Sequence, residues 1–166
     1  MDQAKAGKAF LAHRRLAFVG VSRDPRDFSR TVFAELTRRG YDVVPVNPTG
    51  GDGLDGTPFV RRLQDVVPPV EVALLMTPPA VTTEVVKDCA EAGIRGVWMH
   101  QGVGRGAASP AAIAFCRDHG IAVVTGACPL MYLPDTAFVH RAHRWCREVL
   151  GRPRAGASAA PSAFSS

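Results

Sequence analysis

Five short apolar runs limit what this chain can fold into: residues 16–21, 41–46, 70–76, 96–99 and 121–124. Runs this short and this apolar read as strands buried on both faces, the pattern of a parallel sheet. Segments of helical character separate them. Residues 1–13 read as a short helix whose Phe10 and Leu11 pack onto the domain. A second helix is expected over 29–39, with Ser29 as N-cap, Val32, Phe33 and Leu36 as its buried stripe, and Gly40 as its stop. A third is expected over 81–92, with Val81, Val85, Cys89 and Ala92 on one side. A fourth starts at Ser109-Pro110, serine at the cap and proline at the first helical position, and ends near Gly120. The connector at 49–57, TGGDGLDGT, must be loop, and 59–63 reads as one helical turn. Residues 125–135 read as loop. A last helix is expected over 136–150, with Phe138, Ala142, Trp145 and Val149 on its apolar face.

Strands alternating with helices imply right-handed crossovers and a parallel sheet. The expected fold class is α/β, a Rossmann-like doubly wound parallel five-stranded sheet with flanking helices. The 166 residues suffice for one such domain and not for two substantial ones. The expected division is a single domain over 1–150 and a disordered Ala/Ser/Pro-rich tail over 151–166.

No apolar run approaches the ~20 residues that span a bilayer, and the N-terminus lacks a signal-peptide core. A cytoplasmic location is expected. The net charge of +5 suits an anionic ligand, but no basic run is long enough to suggest nucleic acid. The four cysteines, Cys89, Cys116, Cys128 and Cys146, form no zinc spacing. Three fall on apolar helix faces and read as core; Cys128 falls in a loop. His140, His143 and Cys146 do not share one face of a helix, which argues against a metal.

In doubly wound sheets ligands bind beyond the carboxyl ends of the strands. The stretch LAFVGVSRDPRDFSR, residues 16–30, therefore carries most of the functional reading. It runs strand, glycine, polar loop with Arg23, Arg26 and Arg30, then helix start, which is the geometry that binds phosphate. A P-loop is excluded, because G-x-x-x-x-G-K-[ST] does not occur. The NAD fingerprint G-x-G-x-x-G is incomplete, since Ser22 stands where the second glycine would. The second strand ends in Val46-Asn47-Pro48, where an NAD site wants a carboxylate. Arginines favour a ligand richer in phosphate.

The strings VGVSRDPRDFSR, GYDVVPVNP, VWMHQG and GACPLM, with Gly56, resemble the small stand-alone CoA-binding proteins of bacteria. Those in turn resemble the CoA-binding domain of succinyl-CoA ligase and of the ADP-forming acyl-CoA synthetases. The resemblance covers about residues 10–152. It implies that coenzyme A, or an acyl-CoA, lies across the strand ends. Gly20, Val21 and Ser22 would approach the pyrophosphate, and Ser29 and Arg30 would sit beside phosphate at the helix start. Val46, Asn47 and Pro48 would line the adenine–ribose pocket. Thr77 and Pro78 would meet the middle of the ligand, and the turn His100-Gln101-Gly102 would lie towards the pantetheine. The loop departs from the ligase subunit in lacking its TGxxG glycines.

His100 and Gln101 read either as an acid–base pair or as plain turn residues. Cys128 reads either as a thiol able to form a mixed disulfide with CoA or as an inert loop cysteine. The leading expectation is binding of CoA without catalysis. The alternatives are a small NAD(P)-dependent enzyme or redox regulator in the same cleft, and an interaction module. A homo-oligomer or a protein partner stays open, with residues 145–150 as an apolar patch that could pack between subunits.

Overall fold

The computed structural model describes residues 2–51, 53–101 and 106–133. The expected helix over 136–150, the tail, Gly102, His140, His143 and Cys146 lie outside the described residues. The chain runs α1 (Gln3–Ala12), β1 (Arg15–Val19), α2 (Phe28–Arg38), β2 (Asp42–Val46), β3 (Val72–Leu75), α3 (Pro79–Glu91), β4 (Gly96–Met99), α4 (Pro110–Asp118) and β5 (Ala122–Val124). The described residues also hold two 3-10 turns, Leu63–Asp65 and Pro129–Tyr132. All the strands pair in parallel, in the order β2-β1-β3-β4-β5. This is the Rossmann-like α/β sheet expected. The order reverses between β1 and β3.

Period-two alternation splits the core. Ala17, Val19, Ala73, Leu75, Val97 and Met99 belong to a cluster with Val86 and Cys89 of α3 and Ala112 and Cys116 of α4. Their neighbours point the other way: Phe18 meets Phe33 of α2, and Trp98 meets Phe10 of α1. Both faces of β1, β3 and β4 are buried, which is why these strands read as unbroken apolar runs. Pro45 lies inside β2, and it is tolerated because β2 is the edge strand.

Four local expectations are corrected. Ser29 is not the cap of α2: Asp27 is, with its carboxylate accepting from the Ser29 N–H at 2.8 Å. Asp caps as well as Ser does, and standing two residues earlier it takes the first free donor. Residues 59–63 are not a helical turn. Val60 bridges to Val46, its N–H donating to the Pro45 carbonyl and its carbonyl accepting from the Asn47 N–H, so the helical turn is delayed to Leu63–Asp65. Val81 is 47% exposed, and the buried line of α3 is Thr82, Val86 and Cys89. Thr82 can be buried because its hydroxyl is shared with Thr77 at 2.7 Å. Finally, residues 125–135 include the 3-10 turn Pro129–Tyr132. The expected start of α4 is borne out: Ser109 accepts from the Ala112 N–H with Pro110 behind it.

Candidate functional site

The carboxyl ends of β2, β1, β3 and β4 line up side by side in the parallel sheet, and the β1–α2 loop leaves from among them at Gly20. The tightest point is Gly20. Its φ is +91°, and a Cβ there would lie 2.8 Å from the main-chain carbon and oxygen of Met76 and 2.8 Å from Cγ2 of Thr77. Only glycine lets the ends of β1 and β3 approach this closely. Val21 and Thr77 are buried, while Pro78 is exposed.

The loop is tied by its own side chains. Ser29 is buried, and its hydroxyl accepts from the Ser22 N–H at 2.8 Å while donating to Asp27. Ser22 in turn accepts from the Asp24 N–H. Ser29 thus fixes the backbone of Ser22 from beneath. The Asp27 carboxylate at the first turn of α2 occupies the place where an anion would meet that helix start, so the cationic part of the site lies in the side chains around it.

Arg23 and Arg30 are held from the β2–β3 connector. Arg23 donates to the Thr49 hydroxyl at 2.9 Å and to the Gly50 carbonyl, with the Phe59 ring centroid 5.9 Å from its guanidinium carbon. Asn47 organises the same turn, its side-chain oxygen accepting from the Thr49 N–H and hydroxyl. Arg30 pairs with Asp55 at 3.0 Å, its side chain 17% exposed. Arg26 pairs with Asp24 on the open surface. Asp55, Asp27 and the clasp of Thr49 and Gly50 on Arg23 escaped the sequence reading; the glycine-rich connector looked like a plain spacer. The signal was there in Asp55-Gly56, a turn pair, and Asp55 does adopt a left-handed φ of +49°.

Val46 and Pro48 line a cleft of about 140 Å³ with Val19, Arg61, Leu63 and Val85. A larger cavity, about 450 Å³, lies at the opposite ends of the strands beneath α1, between Phe10, Val72 and Ala122.

At β4, Gln101 is exposed and its N–H reaches the Ala127 carbonyl at 3.4 Å, so the segment after β5 adjoins the same strand ends. Cys128 is half-buried there. His100 is 6% exposed, with its ring centroid 5.7 Å from that of Phe28. Burial holds its pKa down at about 4, against an ordinary 6.5. Burial also pushes the Cys89 and Cys116 thiols up, Cys116 to about 11, as inert core thiols require.

The His100 depression predicts a pH signature. Above pH 6.5 neither the folded nor the unfolded chain protonates this ring. Between 6.5 and about 4 only the unfolded chain does, so stability falls as pH drops through that window and levels off below it. The loss expected from this one group is about 3 kcal/mol. Urea unfolding of wild type and His100→Gln across pH 4 to 7 reads it; identical pH slopes would refute it.

A family model described as CoA binding domain matches residues 14–134. The chain belongs to the CoA-binding domain family. Among relatives, the acetate–CoA ligase (ADP-forming) II subunit alpha of Pyrococcus furiosus is 27% identical over 89 residues, covering 53% of this chain and 19% of that subunit. The CoA-binding domain chain thus spans about a fifth of that relative's length. The protein YneT of Bacillus subtilis is 26% identical over 102 residues, 61% of this chain and 75% of its own. A solved structure of a conserved hypothetical protein from Pyrococcus furiosus superposes with a TM-score of 0.65 at 28% identity, covering 72% of this chain and 99% of that one. Among the described residues no helix is long and apolar enough to cross a membrane.

Proposed function

We propose that this chain binds coenzyme A or an acyl-CoA over the carboxyl ends of β2, β1, β3 and β4, and performs no reaction of its own. The observation that carries this is the close approach at Gly20, where β1 meets Met76 and Thr77 at the point of strand-order reversal, flanked by the anchored Arg23 and Arg30. Backbone bared by a glycine, with guanidinium groups beside it, suits a pyrophosphate and a further phosphate. Gly20, Val21 and Ser22 take the pyrophosphate and Arg30 a phosphate. Ser29 shapes the loop rather than offering its hydroxyl. Val46, Asn47 and Pro48 with the adjoining cleft take the adenosine, and Thr77, Pro78, Gln101 and Gly102 follow the arm.

Two features favour this over an NAD(P) enzyme. The end of β2 presents Asn47, which is engaged in its own turn, and no carboxylate for a ribose. His100, the candidate acid–base residue, is buried, and its Nε2 pairs with no nucleophile.

Thermal shift with CoA, acetyl-CoA, NAD, NADP and ATP tests the reading by linkage. Stabilisation by CoA above the others is expected. A shift with NADP and none with CoA would sink it, and no shift with any would favour an interaction module. Arg30→Ala should weaken CoA about tenfold by titration calorimetry, the effect of one charged hydrogen bond. An unchanged affinity would remove Arg30 from the site.

A further inference from the structure

We propose that Arg61, with Arg23 beside it, holds a phosphate monoester carried on the ribose of the bound nucleotide, the 3′-phosphate of CoA, and so sets a preference for CoA over its 3′-dephosphorylated form. This rests on the CoA reading above and adds to it a residue to which that reading gives no role.

Two guanidinium groups are brought to one turn. The connector after β2 folds back on its own strand: the Val60 N–H donates to the Pro45 carbonyl at 3.0 Å, and the Val60 carbonyl accepts from the Asn47 N–H at 2.9 Å. That pairing returns Arg61, the next residue, to the carboxyl end of β2. There it lies over Gly50, where a Cβ would stand 3.0 Å from Arg61 Nε. Arg23 arrives from the β1–α2 loop and lies over Gly51, where a Cβ would stand 3.0 Å from its Nη2. The φ angles of Gly50 and Gly51 are +63° and +123°, so backbone conformation and side-chain space both call for glycine. Adjacent Cα atoms are about 3.8 Å apart, so the two cations rest on neighbouring points of one main chain.

Their charges are not answered by the protein. Arg23 donates to the Thr49 hydroxyl and the Gly50 carbonyl, which are both neutral. Among the described residues Arg61 makes no hydrogen bond or ion pair through its side chain. Asp24 and Asp55, in the same two segments, pair with Arg26 and Arg30 instead. Asp88 of α3 lines the adjoining cleft with Arg61 and Arg62, and it pairs with neither. Like charges held together repel, and an anion between them reverses the sign of the interaction. The planar fork of a guanidinium matches two oxygens of a phosphate monoester.

Position selects which phosphate. Arg61 lines the cleft of about 140 Å³ that Val46 and Pro48 also line, the place proposed above for the adenosine. A ribose seated there leads through its 5′ oxygen to the pyrophosphate at Gly20. Its 3′ oxygen leaves from the other face of the sugar. Arg61 joins this cleft to the Gly50–Gly51 turn under Arg23, so a phosphate on that oxygen meets both cations.

The test compares CoA, 3′-dephospho-CoA and the 3′,5′- and 2′,5′-bisphosphates of adenosine by calorimetry on wild type, Arg61→Gln and Arg61→Lys. Wild type should bind CoA about tenfold more tightly than dephospho-CoA, the worth of one charged hydrogen bond. Arg61→Gln should bring CoA down to the level of dephospho-CoA and leave dephospho-CoA unchanged. Arg61→Lys, which keeps the charge and loses the fork, should recover part of the loss. A merely structural role for Arg61 would weaken both ligands alike, so the ratio of the two affinities isolates the phosphate. The 3′,5′-bisphosphate should bind more tightly than its 2′,5′ isomer; the reverse order assigns the cations to a 2′-phosphate, as on NADP, and overturns the proposal. Equal affinities of wild type for CoA and dephospho-CoA, or equal weakening of both by Arg61→Gln, also overturn it, and in those cases the CoA reading stands. Wild type that binds neither CoA nor dephospho-CoA removes the CoA reading itself, and this inference with it.

Discussion

Gly20→Ala is expected to destabilise the protein by about 4 kcal/mol. Two costs combine. Alanine at a φ of +91° is strained, by about 1–2 kcal/mol for an ordinary left-handed residue. The new methyl would also sit 2.8 Å from the carbonyl carbon and oxygen of Met76. Those are main-chain atoms at the end of a central strand, and they cannot swing aside as a side chain would. Relief requires β1 and β3 to part where the site is built. Urea denaturation should show a lower midpoint with an unchanged slope. A loss below about 1 kcal/mol, within the range of ordinary substitutions, would mean the strand ends are not in contact. Under conditions where the variant remains folded, CoA binding should fall as well if the pyrophosphate lies over Gly20 as proposed, because the clash moves the backbone there.

Trp98→Ala is expected to cost about 3–5 kcal/mol, as for other large aromatic residues removed from a core. Trp98 is fully buried, edge-on to Phe10 at 5.3 Å and to Tyr132 at 5.4 Å. It joins three separate pieces of chain: α1, β4 and the 3-10 turn after β5. Gly7 of α1 belongs to the same packing, since a Cβ there would lie 3.1 Å from the indole. The indole N–H also donates to the Ala127 carbonyl at 2.9 Å, which fixes the segment beside Gln101 and Cys128. Trp98→Phe separates the two roles. It keeps most of the packing and loses the hydrogen bond, so it should cost far less than alanine. It should also loosen residues 125–128, read as faster amide exchange there. Equal costs for the two variants would show that packing against Phe10 and Tyr132 contributes little.

The strands were the most legible part of the chain. The Val97-Trp98-Met99 run, with Gly96 before it and a polar turn after it, gave β4 its bounds, because a strand buried on both faces has no polar position to blur it. Ser109-Pro110 gave α4 its start, since cap and first-turn proline are local chemistry. Errors arose where a distant partner decided. Asp27 and Ser29 are both good caps, and what separates them is that Ser29 is engaged by Ser22 across the loop. Val60 was drawn out of a helical turn by the open edge of β2. Thr82 takes the core place expected for Val81 because Thr77, just past the end of β3, satisfies its hydroxyl. The site followed the same rule. Gly20 and the loop arginines showed in the sequence, but what holds Arg23 and Arg30 did not, because Thr49, Gly50 and Asp55 come from a connector whose composition says only that it bends.

The placement of Pro45 has a consequence for association. A sheet grows when another chain hydrogen-bonds along an unpaired edge. On the β2 side, Pro45 has no N–H to offer, and Val60 already takes its carbonyl and the Asn47 N–H. On the far side, β5 presents only three residues. Strand addition is therefore blocked at one margin and has little template at the other. A second copy or a protein partner meeting these described elements has the helix faces and the loops at the strand ends to work with, so self-association of this domain is steered away from continuous β-structure.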